Sequence, residues 1–567
     1  MSDAPIGVVQ SIDTANATIK VSSADFLNTL QVNQLVWIRS TRTNEKIIGI
    51  VVKILSRAII SDADIETKDE LVVENIFKVN LVGTWVLKVG DSGQAFSRSL
   101  SVVPSVGAEA FVLGGKVLTD FMGVISSNAE NPLQVGHYVI AEDSKANLDG
   151  NKFFQRHAVI VGGTGSGKSW TVASILEQAS KLASVNGIVF DIHGEYAPLH
   201  AGHENMTLLK IAGPADEPTM EGVLFLPYWL LSYDEIESLL LDRSDQNAPN
   251  QARMLFDGIL KYKRLCISNV GSGAEFPDIT VESPFPYDID FLLAELIAKD
   301  EEMVPGVKSD KQGPLHGKLT RFIQRLKSKR SDKRLNFLFN QSESLRALDW
   351  FGKLANTLIG FGNGKGLKII DFSEVPSDIL PLITGLVARL IFDLQHWMPA
   401  GHIHPIAMFC DEAHLYVPNA VNGGIEVSSL HNFERIAKEG RKYGVALIVI
   451  SQRPADVNKT VLSQCGNFVA MRLSNPDDQN VIRRLFPDSL GNFAEVLPIL
   501  DVGEALIVGD ACLLPSRVKI SPPSIKPNSA TIDFWDEWSK IDVEPSVDVA
   551  VKAYRKQQRI CPRIHNM

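Results

Sequence analysis

The run HAVIVGGTGSGKSWTVASILEQA, residues 157–179, constrains this chain more than any other stretch. Four apolar residues, Ala158 to Val161, read as a buried strand, and a helix-like segment follows. Between them Gly162, Gly167, Lys168 and Ser169 stand in the GxxxxGK[ST] spacing. Glycines at these positions let the backbone curl until successive N–H groups point inward, and the helix behind adds its positive end. That geometry suits the phosphates of a nucleotide. Gly163, Thr164, Gly165, Ser166, Gly167, Lys168, Ser169 and Trp170 are therefore the expected nucleotide contacts, with Lys168 neutralising phosphate charge and the Ser169 hydroxyl placed for Mg²⁺. The competing reading is a glycine loop that merely caps a helix.

A chain of 567 residues exceeds a single core, so two or more domains are expected. The first hundred residues hold short alternating runs (GVVQSI, ATIKVSS, QLVWIRS, KIIGIVVKIL), the pattern of a small barrel or sandwich. From about Asn151 apolar strands alternate with longer amphipathic segments, as in a parallel α/β sheet. The expected division is an N-terminal β-barrel over 1–115, a connector over 116–150, an α/β core over 151–212 and 367–525, a mostly helical insertion over 213–366, and a C-terminal arm over 526–567. No basic start followed by an apolar run and no window of about 20 apolar residues is present, so a cytoplasmic protein with no membrane partner is expected. Five cysteines, odd in number and without CxxC spacing, read as reduced thiols. The net charge of −10 argues against a general nucleic-acid binder, so any DNA contact must come from a local patch.

Further chemistry sits at predicted strand ends. PIAMFCDEAH is an apolar strand closing on Asp411 and Glu412, and two adjacent carboxylates there call for a cation. Asp411 is assigned to the metal shell and Glu412 to the general base that takes the proton of the attacking water. VALIVIS ends at Ser451, and Gln452 beside it is the candidate sensor of the γ-phosphate, against a glutamine that only caps the strand. IVFDIHGEY supplies Asp191 and Glu195, placed with the nucleotide contacts; Asp191 is expected to line the nucleotide or couple it to the channel, against a residue that only serves turn chemistry. NFERIAKEGRKYG is a helix whose Arg435, Lys438, Arg441 and Lys442 give it a basic side, which reads either as solvated surface charge or as a source of a catalytic cation. A cation that reaches a neighbouring subunit's γ-phosphate would stabilise transition-state charge, and Arg441 leads the candidates, ahead of Arg156 and Arg435.

Taken together, RHAVIVGGTGSGKS, DIHGEY, LPYWLLSYDEIESLL, DFSEVPSDILPLITGLVARLIFD, DEAHLYVP, IAKEGRKYGVALIVISQRPADVNKTVLSQCGNFVAMRLSNPDDQNVIRR and GEALIVGD resemble the HerA family of hexameric ATPases and DNA translocases, related to FtsK. The blocks span nearly the whole chain. The resemblance implies an α/β RecA-like P-loop ATPase core with an N-terminal small β-barrel and a mostly helical insertion. It implies ATP and Mg²⁺ as ligands and a homohexamer with sites between subunits. It also implies double-stranded DNA in a central channel and an effector enzyme, a nuclease or a sirtuin-like NAD hydrolase, docked on the barrel. DNA end processing or antiviral defence would be the setting. Two positions depart from the family pattern. Ile192 stands where DPHGEY has proline, and Lys438 stands where arginine is common, which favours Arg441 as the finger.

The segment from Lys308 to Arg334 holds ten Lys or Arg against two Asp, the strongest basic patch in the chain. It reads either as a surface that meets DNA phosphates without regard to sequence or as a solvated helix face. The expected function is a ring-forming, ATP-driven DNA translocase or helicase-type motor. The alternative is an ATP-controlled hexameric scaffold that regulates a bound effector and pumps little DNA.

Overall fold

The computed structural model describes residues 4–28, 30–60, 71–87, 94–100, 102–127, 131–269, 275–360, 366–421, 423–486, 488–529, 532–540 and 546–557. It divides into two compact units. One comprises 1–178, 452–455 and 465–524, and the other 179–451, 456–464 and 525–567.

The first unit opens with seven strands: β1 (Gly7–Asp13), β2 (Asn16–Val21), β3 (Leu35–Arg39), β4 (Glu45–Ile60), β5 (Leu71–Leu87), β6 (Gln94–Ser97) and β7 (Glu109–Val112). Their order is β2-β1-β7-β3-β4-β5-β6, and an added β2–β5 pairing, Asn16↔Asn80 to Lys20↔Ile76, closes six of them into a barrel. Closure removes the free edges that an open antiparallel sheet would expose. Alternation along the strands sends Val9, Ile19, Val36, Ile38, Phe77 and Val79 into one core. The long β4–β5 hairpin carries register shifts at Ile48/Gly49 and Val51/Lys53, where extra residues bend the strand so that the sheet can curl.

Residues 116–150, expected as a connector, instead carry structure that joins the sheet. A helix, Gly115–Ser127, leads into the hairpin Pro132–Tyr138 and Ala141–Asp149. The hairpin pairs through its first strand with Ser516–Ile520. Its partner lies almost four hundred residues away, which is why local pattern did not reveal it. The rest of this sheet runs through Glu504–Gly509 and Asn467–Met471 to Ala158–Val161. Only the last contact, Ala158↔Asn467 to Val161↔Ala470, is parallel.

The second unit contains a wholly parallel run of strands in the order Val223–Leu224, Met206–Ile211, Leu367–Asp371, Gly187–Asp191, Ile406–Cys410, Val445–Ser451. Gly187–Asp191 and Val445–Ser451 are buried at every residue. Strands covered on both faces are apolar throughout instead of alternating. The crossover helix Leu380–His396 begins with Pro381 in its first turn and buries thirteen residues. Between the strands at 223–224 and 367–371 the chain is mainly helical, including Tyr233–Leu240, Ala248–Asn269, Ile289–Asp300, Thr320–Ser331 and Trp350–Ile359. The first of these starts at a capping box in which Ser232 and Glu235 satisfy each other's backbone N–H. The described cysteines, Cys266, Cys410, Cys465 and Cys512, are free thiols, and Cys561 lies outside the described residues. No helix among the described residues is long and apolar enough to cross a membrane.

Candidate functional site

In the first unit the strand Ala158–Val161 delivers the chain into the glycine loop, and the helix Lys168–Ser180 leaves it. Gly163 N–H donates to the Arg472 carbonyl (2.9 Å) and Ser166 N–H to the Gly163 carbonyl (3.1 Å), which curls the loop back on itself. The curl needs left-handed backbone at Gly165 (φ +73°) and Gly167 (φ +103°). At Gly167 a Cβ would also stand 3.1 Å from Met471 Cε and 3.3 Å from Gly503. Gly503 N–H in turn holds the Ser166 carbonyl at 2.9 Å. Lys168 and Ser169 are buried at the head of the helix, Trp170 is half-buried, and Thr164 is exposed. The Ser166 hydroxyl is buried and has no hydrogen-bond partner among the described residues. A cradle built from backbone N–H, one hydroxyl and one lysine fits a polyphosphate, whose oxygens supply acceptors and negative charge.

Gln452 belongs to this unit, and its Oε1 accepts the Thr164 hydroxyl at 3.1 Å. The candidate sensor therefore touches the rim of the phosphate loop. Arg156 ends the short helix before the loop strand, about half exposed, with its Nε 3.7 Å from Asp510 Oδ2. Asn467, which the sequence did not single out, is buried and fixes this neighbourhood. Its Nδ2 donates to the carbonyls of Lys152, Phe153 and His157, and its Oδ1 accepts from Ala511 N–H.

In the second unit three aspartates stand at the ends of adjacent parallel strands: Asp191, Asp371 opposite it in register, and Asp411 just past Cys410. Asp191 is wholly buried. Its two oxygens accept the N–H groups of Glu195 and Tyr196, each at 2.9 Å, so its carboxyl closes the turn that Glu195 opens. Burial, aided by the nearby Asp371 and Asp411, pushes the Asp191 carboxyl up to about 8 in spite of those hydrogen bonds. Of the two roles the sequence left for Asp191, the geometry displays the turn-forming one. Glu195 is half-buried, and its carbonyl accepts Asn528 N–H at 2.7 Å.

Asp411 and Glu412 are both buried. Glu412 adopts a left-handed backbone (φ 47°, ψ 43°), which the sequence did not disclose. A non-glycine residue in that region costs about 1–2 kcal/mol and persists only where its surroundings enforce it. The turn behind it does so: Leu415 N–H returns to the Glu412 carbonyl, Val417 N–H to Ala413, and the Tyr416 hydroxyl to the Asp411 carbonyl at 2.8 Å. Burial and the surrounding acids hold the Tyr416 hydroxyl far above its usual range, so it remains a donor.

Oxygen donors of this kind suit a hard divalent ion. Among the described residues no group of three or more His, Cys, Asp or Glu is arranged to hold a metal. Magnesium is ordinarily bound by one or two protein oxygens with phosphate and water completing its shell, and a single buried aspartate such as Asp411 fits that pattern.

The three arginine candidates separate clearly. Arg435 is engaged within its own unit, 3.3 Å from Asp393 Oδ1 and stacked 4.5 Å over the Phe392 ring. Arg441 lies on the turn Gly440–Tyr443, exposed, with no ion-pair partner among the described residues. Arg156 stands between these extremes. In the basic segment Arg325, Lys329, Arg330 and Arg334 pair with Asp242, Asp378, Asp290 and Asp332, while Phe322, Ile323 and Leu326 turn inward.

Comparison with known proteins finds relatives over most of the chain. The family described as the central domain of helicase HerA matches residues 133–391, and the HerA-like helicase C-terminal family matches 400–533. A DNA double-strand break repair helicase HerA from Saccharolobus solfataricus is 27% identical over 408 residues, 71% of each chain. One from Sulfolobus acidocaldarius is 28% identical over 407 residues, 69% of this chain and 70% of that one. A probable helicase of Methanocaldococcus jannaschii is 25% identical over 413 residues, 72% of this chain and 70% of its own. Among solved structures, VirB4 of Thermoanaerobacter pseudethanolicus aligns at a TM-score of 0.47 and 15% identity, over 70% of this chain and 97% of that one. With both parts of the motor region matched in order, and a glycine loop formed as a phosphate cradle, the chain belongs to the HerA family and is an ATP-hydrolysing enzyme.

Proposed function

We propose that this protein is a ring-forming, ATP-driven DNA translocase of helicase type that works with an effector enzyme. The observation that carries the reading is the phosphate cradle with buried Lys168 and Ser169 at a helix N-terminus, in a chain whose relatives are named DNA repair helicases.

In this reading the loop N–H groups and Lys168 bind the β- and γ-phosphates of ATP. Ser169 and Asp411 would hold Mg²⁺, which neutralises charge on the phosphate oxygens when bound. Glu412 accepts a proton from water as the water oxygen bonds to the γ-phosphorus and the bond to the β-phosphate oxygen breaks. ADP leaves with that electron pair, and the proton passes on to phosphate or solvent. Gln452, tied to Thr164 at the loop rim, senses the γ-phosphate. Arg441, exposed and without an ion-pair partner among the described residues, serves the site of the next copy, which makes a closed ring, six subunits by family resemblance, the active form.

Exposed cations of the 308–334 segment, such as Arg321 and Lys327, would meet DNA phosphates without reading bases, so binding should weaken steeply with salt. The closed barrel, with its own core, would dock the effector, a nuclease or an NAD-consuming enzyme, in DNA end processing or antiviral defence. The test is the ATPase rate with and without duplex DNA of arbitrary sequence, at two salt concentrations. Stimulation that fades with salt supports the motor. A rate indifferent to DNA but altered by the enzyme encoded next to this one would replace it with the scaffold reading.

A further inference from the structure

Glu412 sits on a strained backbone, and that alone does not fix where its carboxylate points, since a glutamate keeps three side-chain torsions. The structure supplies a second restraint that neither sequence nor family comparison assigns. His414 Nδ1 lies 3.3 Å from Glu412 Oε2. The same nitrogen lies 3.2 Å from the hydroxyl of Ser451, the last residue of the strand Val445–Ser451. The His414 side chain is 12% exposed and Ser451 is fully buried, so these contacts stand largely out of water. Ala413, between the acid and the imidazole, begins the tight turn whose backbone hydrogen bonds hold this stretch of chain.

We propose that His414 is a positioning residue that aims the Glu412 carboxylate at the attacking water, with Ser451 fixing the imidazole in its turn. The inference rests on Glu412 being the general base. His414 Nδ1 hydrogen-bonds with the Ser451 hydroxyl, and its approach to Glu412 Oε2 is a close polar contact without hydrogen-bond geometry, so the ring limits the carboxylate's rotation by its bulk and polarity. Ser451, on a strand buried throughout, anchors the ring to a rigid element instead of to the turn alone. A buried histidine that only fills space beside an acid would make the same contacts but would affect stability and not the chemical step.

The experiment measures single-turnover ATP hydrolysis, ATP affinity with a fluorescent analogue, and the melting temperature of the nucleotide-free chain for His414→Ala, His414→Asn, Ser451→Ala and the double variant His414→Ala/Ser451→Ala. Loss of an orienting partner of this kind costs about 10–100-fold in rate. The expected result is such a fall for His414→Ala with ATP affinity unchanged. His414→Asn keeps an N–H near the Nδ1 position and should recover part of the rate. Ser451→Ala should show a smaller fall, and the double variant should be no slower than His414→Ala, because the serine acts only through the histidine. A wild-type rate in His414→Ala, or equal losses in His414→Ala and His414→Asn that track melting temperature, would overturn the positioning role. Glu412→Gln separates the two claims. If it is inactive while His414→Ala is normal, only the present inference fails, whereas turnover in Glu412→Gln removes the base assignment and this inference with it.

Discussion

At the scale of single residues, legibility followed locality. Lys168 and Ser169 were named from spacing alone because the glycine, lysine and serine pattern that marks their loop lies within eight residues, although the carbonyl of Arg472 and the N–H of Gly503 also hold that loop. The left-handed backbone of Glu412 was not readable, because a turn reaching to Val417 imposes it, and glycine, the usual marker of that region, is absent. Asp191 was left between two roles, and the hydrogen bonds to Glu195 and Tyr196 show how completely the turn uses it. Asp191→Ala strands two buried N–H groups and should lower unfolding free energy by about 1–3 kcal/mol for each that finds no new acceptor. Asp191→Asn retains one acceptor and should fall between alanine and wild type in urea unfolding midpoints. Equal midpoints for all three would show that water takes over the turn.

Among elements, the parallel strands were legible because strands covered on both faces are continuous apolar runs, as in VALIVIS. The hairpin at 132–149 was not, since its register with Val518 and Ile520 is set by a segment remote in sequence. The helical region hides a further feature in Ala248–Asn269. Lys263 on that helix is buried, and its ammonium donates to the carbonyls of Val281 and Ser283, each at 2.7 Å. Burial lowers its pKa to about 8 from 10.5. Between those two values the unfolded chain keeps a proton that the folded chain has lost, so stability must rise with pH across that window. Below about pH 8 both states are charged, the burial cost is carried in full, and no slope is expected. Chemical unfolding of wild type against Lys263→Met should show the difference moving in favour of wild type from pH 8 to 10 and staying flat from pH 6 to 7. A flat difference throughout would mean that Lys263 keeps its charge when buried.

For the whole molecule, the strand-rich start and the α/β core were foreseeable from periodicity, whereas barrel closure was not. The β2–β5 pairing that closes the barrel joins residues about sixty apart, and nothing local in ATIKVSS specifies it. The proposed cooperation between subunits would likewise be a property of an assembly. If Arg441 completes a neighbour's site, Arg441→Ala and Lys168→Ala chains should each be inactive alone. Mixed together they should regain part of the activity, since some interfaces then join an intact loop to an intact arginine. No recovery on mixing, with mixed rings verified by size, would place Arg441 outside the site.

The central claim is that one part of the chain holds ATP while another breaks it, and nucleotide binding measured beside single-turnover hydrolysis tests it most directly. Lys168→Ala should lose both, because the lysine neutralises phosphate charge before any bond changes. Glu412→Gln should bind ATP as the wild type does and release no phosphate, because its carboxylate acts only on the water. Phosphate release at the wild-type rate from Glu412→Gln, or undiminished ATP binding by Lys168→Ala, would contradict the account.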